Sequence, residues 1–565
     1  SVDVHDGSLG AVLGQAQPGG IPGGGVSESG GAANHIIRRS HPRVIATGFI
    51  AQSKRFGTRK LEDIHQIIED TLNTTGQVVL GLSLRCARCH DHKFDPISAR
   101  DYYALYGFFA GTKFPFAGAE EDHRPSEFAP LVPPARLSEF EGQLAETIGR
   151  LRSDLAEVEE EAESSAGDLG LALAVEEFVG VGDRAGRVRE ELDQASRSLG
   201  RKADRIRAEI ARLEEEGPEA LVPKAYAVRD GEPTDVRLQK GGDPSDLGDE
   251  IPRGVPRALD PSGVIALPET GSGRLAMARW LTEGPPQALT ARVMVNRIWQ
   301  HHFGKPIVAT PSDFGLRGTP PTHPDLLEWL AADFVASGWS IKAMHRKIMT
   351  SATYQLSSRI DTANAEVDTG NARYWRFDRR PLDAEALRDR LLALGGNLRL
   401  GRPGPHPFPD VEQWRYTAHH QFKALYPSEH RSVYLMVQRL HPHPYLSLFN
   451  GPDTSMSTAS RDSSTVALQA LYLLNNPFVH DQASRFADRL IAAEPDPGAR
   501  LRLAYLSAFG REPSGSERSR AERFLATYSS RLASEGCEGD DALELEAWSA
   551  LTRAVFASNE FFYVD

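Results

Sequence analysis

Between residues 137 and 216 the chain carries two long series of apolar residues at helical spacing. Leu137, Phe140, Leu144, Ile148, Leu151, Leu155 and Val158 are separated by 3, 4, 4, 3, 4 and 3 positions. Val188, Leu192, Ala195, Leu199, Ala203, Ile206, Ile210 and Leu213 repeat the pattern, with charged residues filling the gaps. A period near 3.5 leaves one apolar stripe per helix, which must be covered by a partner. The simplest solution is an antiparallel helical hairpin over 137–216, joined by the Gly- and Ser-containing stretch 164–186. Such an arm reads first as a self-contained hairpin, and alternatively as a spacer or a dimerisation arm.

The rest of the chain reads as mainly α and multi-domain, which suits 565 residues. Residues 1–41 are Gly-rich and irregular, with Gly19-Gly20 and Gly23-Gly24-Gly25. A domain over 42–136 follows, with a helix predicted over 60–84 and a second over about Ala99 to Phe109, capped by Ser98. Residues 217–272 form a Gly- and Pro-rich linker. Within it Ala225–Val228 and Val236–Leu238 flank Asp230-Gly231, a predicted small β-hairpin. From 273 to 565 the chain is predicted helical, for example at Arg274–Thr282, Leu289–Phe303, Pro324–Ser337, Ile341–Ser351, Ala384–Leu394, Ser464–Leu474 and Ala547–Ala557. No fixed-period repeat points to a solenoid. Met277, Met294, Met344 and Met349 read as core residues.

The net charge of −13 argues against nucleic-acid binding. No run of eighteen apolar residues predicts a membrane span. Three cysteines are too few for a disulfide scaffold. Cys537 reads as an incidental surface thiol.

The other two cysteines form Cys86-Ala87-Arg88-Cys89-His90. Covalent attachment of haem needs two thiols for the two vinyl groups and an imidazole for the iron, and C-x-x-C-H supplies all three. Cys86 and Cys89 would become thioethers, and His90 the proximal ligand. A redox dithiol or half a zinc site are the alternatives. Zinc would need further thiols or spaced histidines, and a dithiol redox site would prefer a βαβ context, which is not evident. His92 reads as a hydrogen-bonding neighbour, to backbone or to a haem propionate, and Asp95-Pro96 as the closing turn. The second axial ligand is open. An unbroken helix would put His65 roughly 30 Å from the motif, so His65 qualifies only if Gly76 or Gly81 turns the chain back. His301 and His302, on the last turn of the helix ending at Gly304, are the other candidates. A five-coordinate iron would favour small-molecule chemistry. Asp453, Asp462, His441 and His443, with Arg431, Arg439 and Arg461, read as a solvated loop, or else as the lining of a cleft.

The stretch from Cys86 to Ile97, with Arg100-Asp101-Tyr102-Tyr103, resembles a cytochrome-like domain family abundant in Planctomycetes. Thr290–Gly304, Pro321–Pro324, Ser337–Lys342, Met349–Tyr354, Leu474–Val479 and Ser558–Asp565 resemble its usual C-terminal partner domain, of unknown function. The match spans about 42–115 and 223–565. The Gly-rich start does not resemble the first half of the cytochrome-like domain, so only its second half is expected here. The resemblance implies export to the periplasm or beyond, and the C-x-x-C-H motif one covalently attached haem c. The first expectation is an electron-transfer or redox protein with a redox partner protein or small-molecule substrate. The second is an exported haem-dependent enzyme acting on a substrate such as a polysaccharide. The third is an assembly subunit that oligomerises through 137–216.

Overall fold

The computed structural model describes residues 44–53, 64–116, 126–179, 183–404, 423–438, 441–537 and 539–564. The Gly-rich segment 1–41 and Arg439 lie outside the described residues. The fold is mainly α, and among the described residues the sheets are short and two-stranded. Its longer helices are α1 Ile64–Thr75, α2 Ala99–Ala110, α3 Glu141–Val179, α4 Asp183–Glu216, α5 Arg274–Glu283, α6 Gln287–Phe303, α7 Pro324–Ala336, α8 Ile341–Met349 and α9 Ala384–Gly395. They continue with α10 Ala467–Asn475, α11 Pro477–Ala493, α12 Pro497–Phe509, α13 Gly515–Ser534 and α14 Asp540–Phe556.

Helices α3 and α4 form the expected antiparallel pair, linked by cross-helix ion pairs such as Arg152–Glu214 and Arg207–Glu159, each 2.6 Å. The connection is shorter than expected, because residues 164–179 continue α3. Their Ala, Leu and Glu content favours helix enough to carry Gly167 and Gly170. The arm leaves the body at a clasp where β2 (Ala129–Pro130) pairs with β3 (Lys224–Ala225), and Leu131 N–H donates to Pro223 O at 2.8 Å. Its buried residues, Val158, Ala203, Ile210 and Leu213, belong to none of the three larger cores. Replacing 137–216 by a short Gly/Ser linker is therefore expected to change the stability of the remainder by no more than about 1 kcal/mol. A urea midpoint corresponding to a loss above about 3 kcal/mol would show that the arm supports the body.

The predicted β-hairpin around Asp230-Gly231 does not form. β4 (Arg229–Asp230) pairs instead with β1 (Thr112–Lys113), and β5 (Val236–Gln239) pairs forward with β6 (Leu247–Ile251). Pro233 lies where the returning strand would need an N–H, which proline lacks. Gly231 N–H is already taken by Gly111 O at 3.0 Å.

One core runs from Ile50 to Phe377 and joins α1 and α2 to α5, α6, α7 and α8. A second is built from α9, α10, α11, α12 and α14 between Ala384 and Phe561, and a smaller third is centred on Trp548. Met277 and Met344 are buried in the first core, and Met294 packs against it. Met349 is half exposed rather than core, because it is the last residue of α8 and its helix face has run out into solvent. No described helix is long and apolar enough to cross a membrane.

Candidate functional site

The site starts with a reversal of the chain. Helix α1 ends at 75, short of the expected 84, and passes through a wide turn over Gly76–Leu80 to Gly81. Gly81 has φ +62°, a left-handed conformation that glycine adopts without strain. A side chain there would also strike Phe314 and Val293, while Gly81 O accepts Phe314 N–H at 2.7 Å. The chain turns back, and Arg85–Arg88 form a 3-10 turn lying against α1. Glu69 on α1 fastens that turn by accepting from Arg88 and from Arg85 Nε, the latter at 3.1 Å. Burial works against the Arg88 charge, but Glu69 outweighs it and raises the pKa.

The floor beneath the turn comes from α2. Ser98 caps this helix in a reciprocal pair with Asp101, Ser98 Oγ taking Asp101 N–H at 3.1 Å and Asp101 Oδ2 taking Ser98 N–H at 2.9 Å. Tyr102, Tyr103 and Tyr106 then cluster, with ring centroids 5.1, 5.8 and 6.3 Å apart. Tyr103 donates to Arg88 O at 2.9 Å, inside the C-x-x-C-H segment. Burial pushes its phenol up to about 12, against the pull of Arg88. The residues after β5 close the other side. Arg88 donates to Gly242 O at 3.0 Å, and a side chain at Gly242 would come within 2.6 Å of Cys89 Sγ.

On this support Cys86 and Cys89 are free thiols, and both are exposed. His90 is exposed as well. Its Nδ1 lies 2.7 Å from Asp91 O. Donation from Nδ1–H to that carbonyl leaves the Nε2 lone pair available as a ligand. Asp91 is held in turn, its Oδ1 accepting Ala99 N–H at 2.8 Å. The His92 side chain is nearly buried, and its Nδ1 accepts the N–H groups of Phe94 and Asp95 at 3.3 and 2.9 Å. It therefore shapes the turn through backbone, the first of the two roles expected of it. Asp95 is buried too, and its Oδ1 accepts Leu316 N–H at 3.0 Å. Arg317 stacks on Phe94 at 4.9 Å. The segment after the motif is thus fastened to Leu316 and Arg317.

Among the described residues no group of three or more His, Cys, Asp or Glu stands where it could hold a metal ion. His301 and His302 lie at the end of α6, and no hydrogen bond or ring contact joins them to residues 86–92. His302 Nε2 faces His345 Nδ1 at 2.7 Å, beside Tyr354. Burial, then His345 and Arg380, hold its pKa down to about 4 from an ordinary 6.5. The folded state thus takes up this proton less readily than the unfolded chain. The resulting stability is present above about 6.5 and is lost as pH falls from there toward 4. His302→Gln is expected to flatten the fall in denaturant midpoint between those pH values, and superimposable slopes would refute the assignment.

Of the charged residues of 431–462, Arg431 and Arg461 are drawn to α9. Arg461 grips Glu385 with two bonds of 2.6 and 2.9 Å. Arg431 lies 3.9 Å from Asp389. Asp453 caps Ser455, and His443 heads the short helix Pro444–Leu448.

Sequence reasoning missed Glu69, Tyr106, Gln239 and Gly242 as parts of this site. Tyr106 lies just past the recognised Tyr102-Tyr103 pair. Gln239 and Gly242 carry no local signal.

Two family models match the chain. Residues 30–114 match the one described as PSCyt2, a protein of unknown function (DUF1549), and residues 273–525 match PSD1, a protein of unknown function (DUF1553). The order is that of the planctomycete-type domain pair. No curated protein and no solved structure matches the chain.

Proposed function

We propose that this chain, which carries that domain pair, is an exported c-type haem protein with an electron-transfer or redox role. Cys86 and Cys89 would hold haem c, and His90 Nε2 would be the proximal ligand. The observation that carries the reading is the donor set itself: two free, exposed thiols three residues apart, followed at once by an imidazole whose Nδ1 is tied to Asp91 O. Cys86 and Cys89 would each add S–H across one vinyl group, giving a thioether with no external oxidant. When bound, the haem supplies one-electron exchange, and the axial ligands and their hydrogen bonds set its potential.

The chain's own residues hold the attachment segment in place. Glu69 clamps Arg88, and Tyr103 holds the Arg88 carbonyl. Asp91 fixes the His90 tautomer. The net charge of −13 favours a cationic or neutral redox partner.

The test uses protein made in cells competent for cytochrome c maturation. Denatured protein is expected to keep one haem by mass and to give the pyridine haemochrome spectrum of a bis-thioether haem. Cys86→Ala/Cys89→Ala is expected to lose it. A haem-free wild-type mass refutes the reading.

A further inference from the structure

We propose that His65 is the second axial ligand of this haem, through Nε2. The inference rests on the haem reading above and deepens it, because the sixth position separates electron transfer from small-molecule chemistry.

The reversal at Gly81 brings His65 back toward the motif. His65 sits one helical turn before Glu69 on α1, and Glu69 is the residue that clamps Arg88. A continuous chain of contacts joins the two histidine regions. His65 Nδ1 lies 3.1 Å from the Gln239 amide. Gln239 O accepts from Tyr103 at 3.3 Å, and Tyr103 also donates to Arg88 O between the two cysteines. Three residues past Gln239, Gly242 lies against Cys89 Sγ.

The orientation of the ring is the second observation. His65 Nδ1 is fixed by Tyr106 Oη at 2.6 Å as well as by Gln239. Gln239 Oε1 is a buried acceptor with no partner among the described residues. Turning that amide over sets Oε1 against Nδ1–H. This gives the buried oxygen a donor, moves the unpartnered position to the amide nitrogen, and with the proton on Nδ1 leaves the lone pair on Nε2. Nε2 itself has no hydrogen-bond partner among the described residues. A ligating histidine with its other nitrogen held by a polar neighbour is the usual arrangement around a metal, and His90 shows the same one with Asp91 O. Burial, with Arg88, lowers the His65 pKa, which keeps the ring neutral.

The rival histidines are engaged elsewhere. His302 Nε2 faces His345, and His92 is buried as a turn-former.

The experiment begins with denatured mass and the pyridine haemochrome spectrum of the matured full chain. Absence of haem there overturns the proposed function and this inference with it. With haem attached, ferric wild-type protein is expected to be low-spin with two imidazole ligands by EPR and near-infrared magnetic circular dichroism. His65→Ala is expected to become high-spin, and added imidazole to restore the low-spin spectrum. His65→Met is expected to show the charge-transfer band of His/Met ligation and a more positive potential. This variant also decides the matter if His65→Ala does not fold. His302→Ala is expected to leave the spectrum unchanged. A high-spin wild type, or a low-spin bis-imidazole spectrum that survives both His65 substitutions, overturns the His65 assignment and leaves the haem reading standing.

Discussion

Gly315→Ala is expected to lower stability by about 3 kcal/mol, although glycine-to-alanine changes away from special sites cost little. The Gly315 backbone is outside the left-handed region, so alanine brings no conformational strain. The cost is steric. A methyl at 315 would overlap Asp95 Oδ1 and come within 2.7 Å of Asp95 Cγ. Asp95 has no room to retreat, since its N–H is held by His92 Nδ1 and its carbonyl by Ile97 N–H at 2.8 Å. Displacing the carboxylate also breaks its bond from Leu316 N–H. Overpacking contributes about 1–3 kcal/mol, and a buried carboxylate that loses a donor about 1–3 more. Denaturant midpoints measure the loss. Gly370→Ala, where a methyl meets nothing within 4 Å, is the control. In an Asp95→Ala background Gly315→Ala is expected to cost much less, because the obstructing group is gone. Equal costs in both backgrounds would show that the clash is not with Asp95. The change should also speed amide exchange over residues 90–97, since the same contact anchors the segment after His90.

That coupling explains what could be read from the sequence and what could not. The C-x-x-C-H motif and the helical arm were legible because both are local signals, five consecutive residues and a short period. Helix α3 runs on through part of the Gly- and Ser-containing stretch 164–186 because the Ala, Leu and Glu around Gly167 and Gly170 favour helix. The strand pairings failed for a different reason. β4 pairs with β1 through Thr112–Asp230 and Lys113–Arg229, far apart in sequence, so turn chemistry at Asp230-Gly231 does not determine its partner. The place of His65 depends on whether Gly76 or Gly81 breaks the helix, and the wide turn over Gly76–Leu80 with φ +62° at Gly81 does so. Gln239 and Gly242 meet the motif only through tertiary contacts, and nothing in their own neighbourhood marks them.

Phe108→Ala is expected to cost about 3–5 kcal/mol, the range for removing a fully buried phenylalanine, and to register far beyond its own domain. Phe108 is on α2 with no exposed surface. A side chain at Gly273, just before α5, would come within 3.1 Å of its ring. Its core continues through Trp280 and Trp299 to Phe377. All seven tryptophans lie after residue 273, so tryptophan fluorescence reports only on the C-terminal part. If residues 44–116 and 273–377 share one core in solution, the substitution moves the fluorescence midpoint as far as the circular dichroism midpoint. An unmoved fluorescence midpoint beside a shifted helical signal would mean that the two parts unfold independently. The C-x-x-C-H segment would then be a separable module, rather than one whose geometry depends on the C-terminal part. A common shift would explain why the chain carries the two domains together: the reversal at Gly81 is packed by Phe314 and Val293, and the turn after His90 by Gly315 and Leu316.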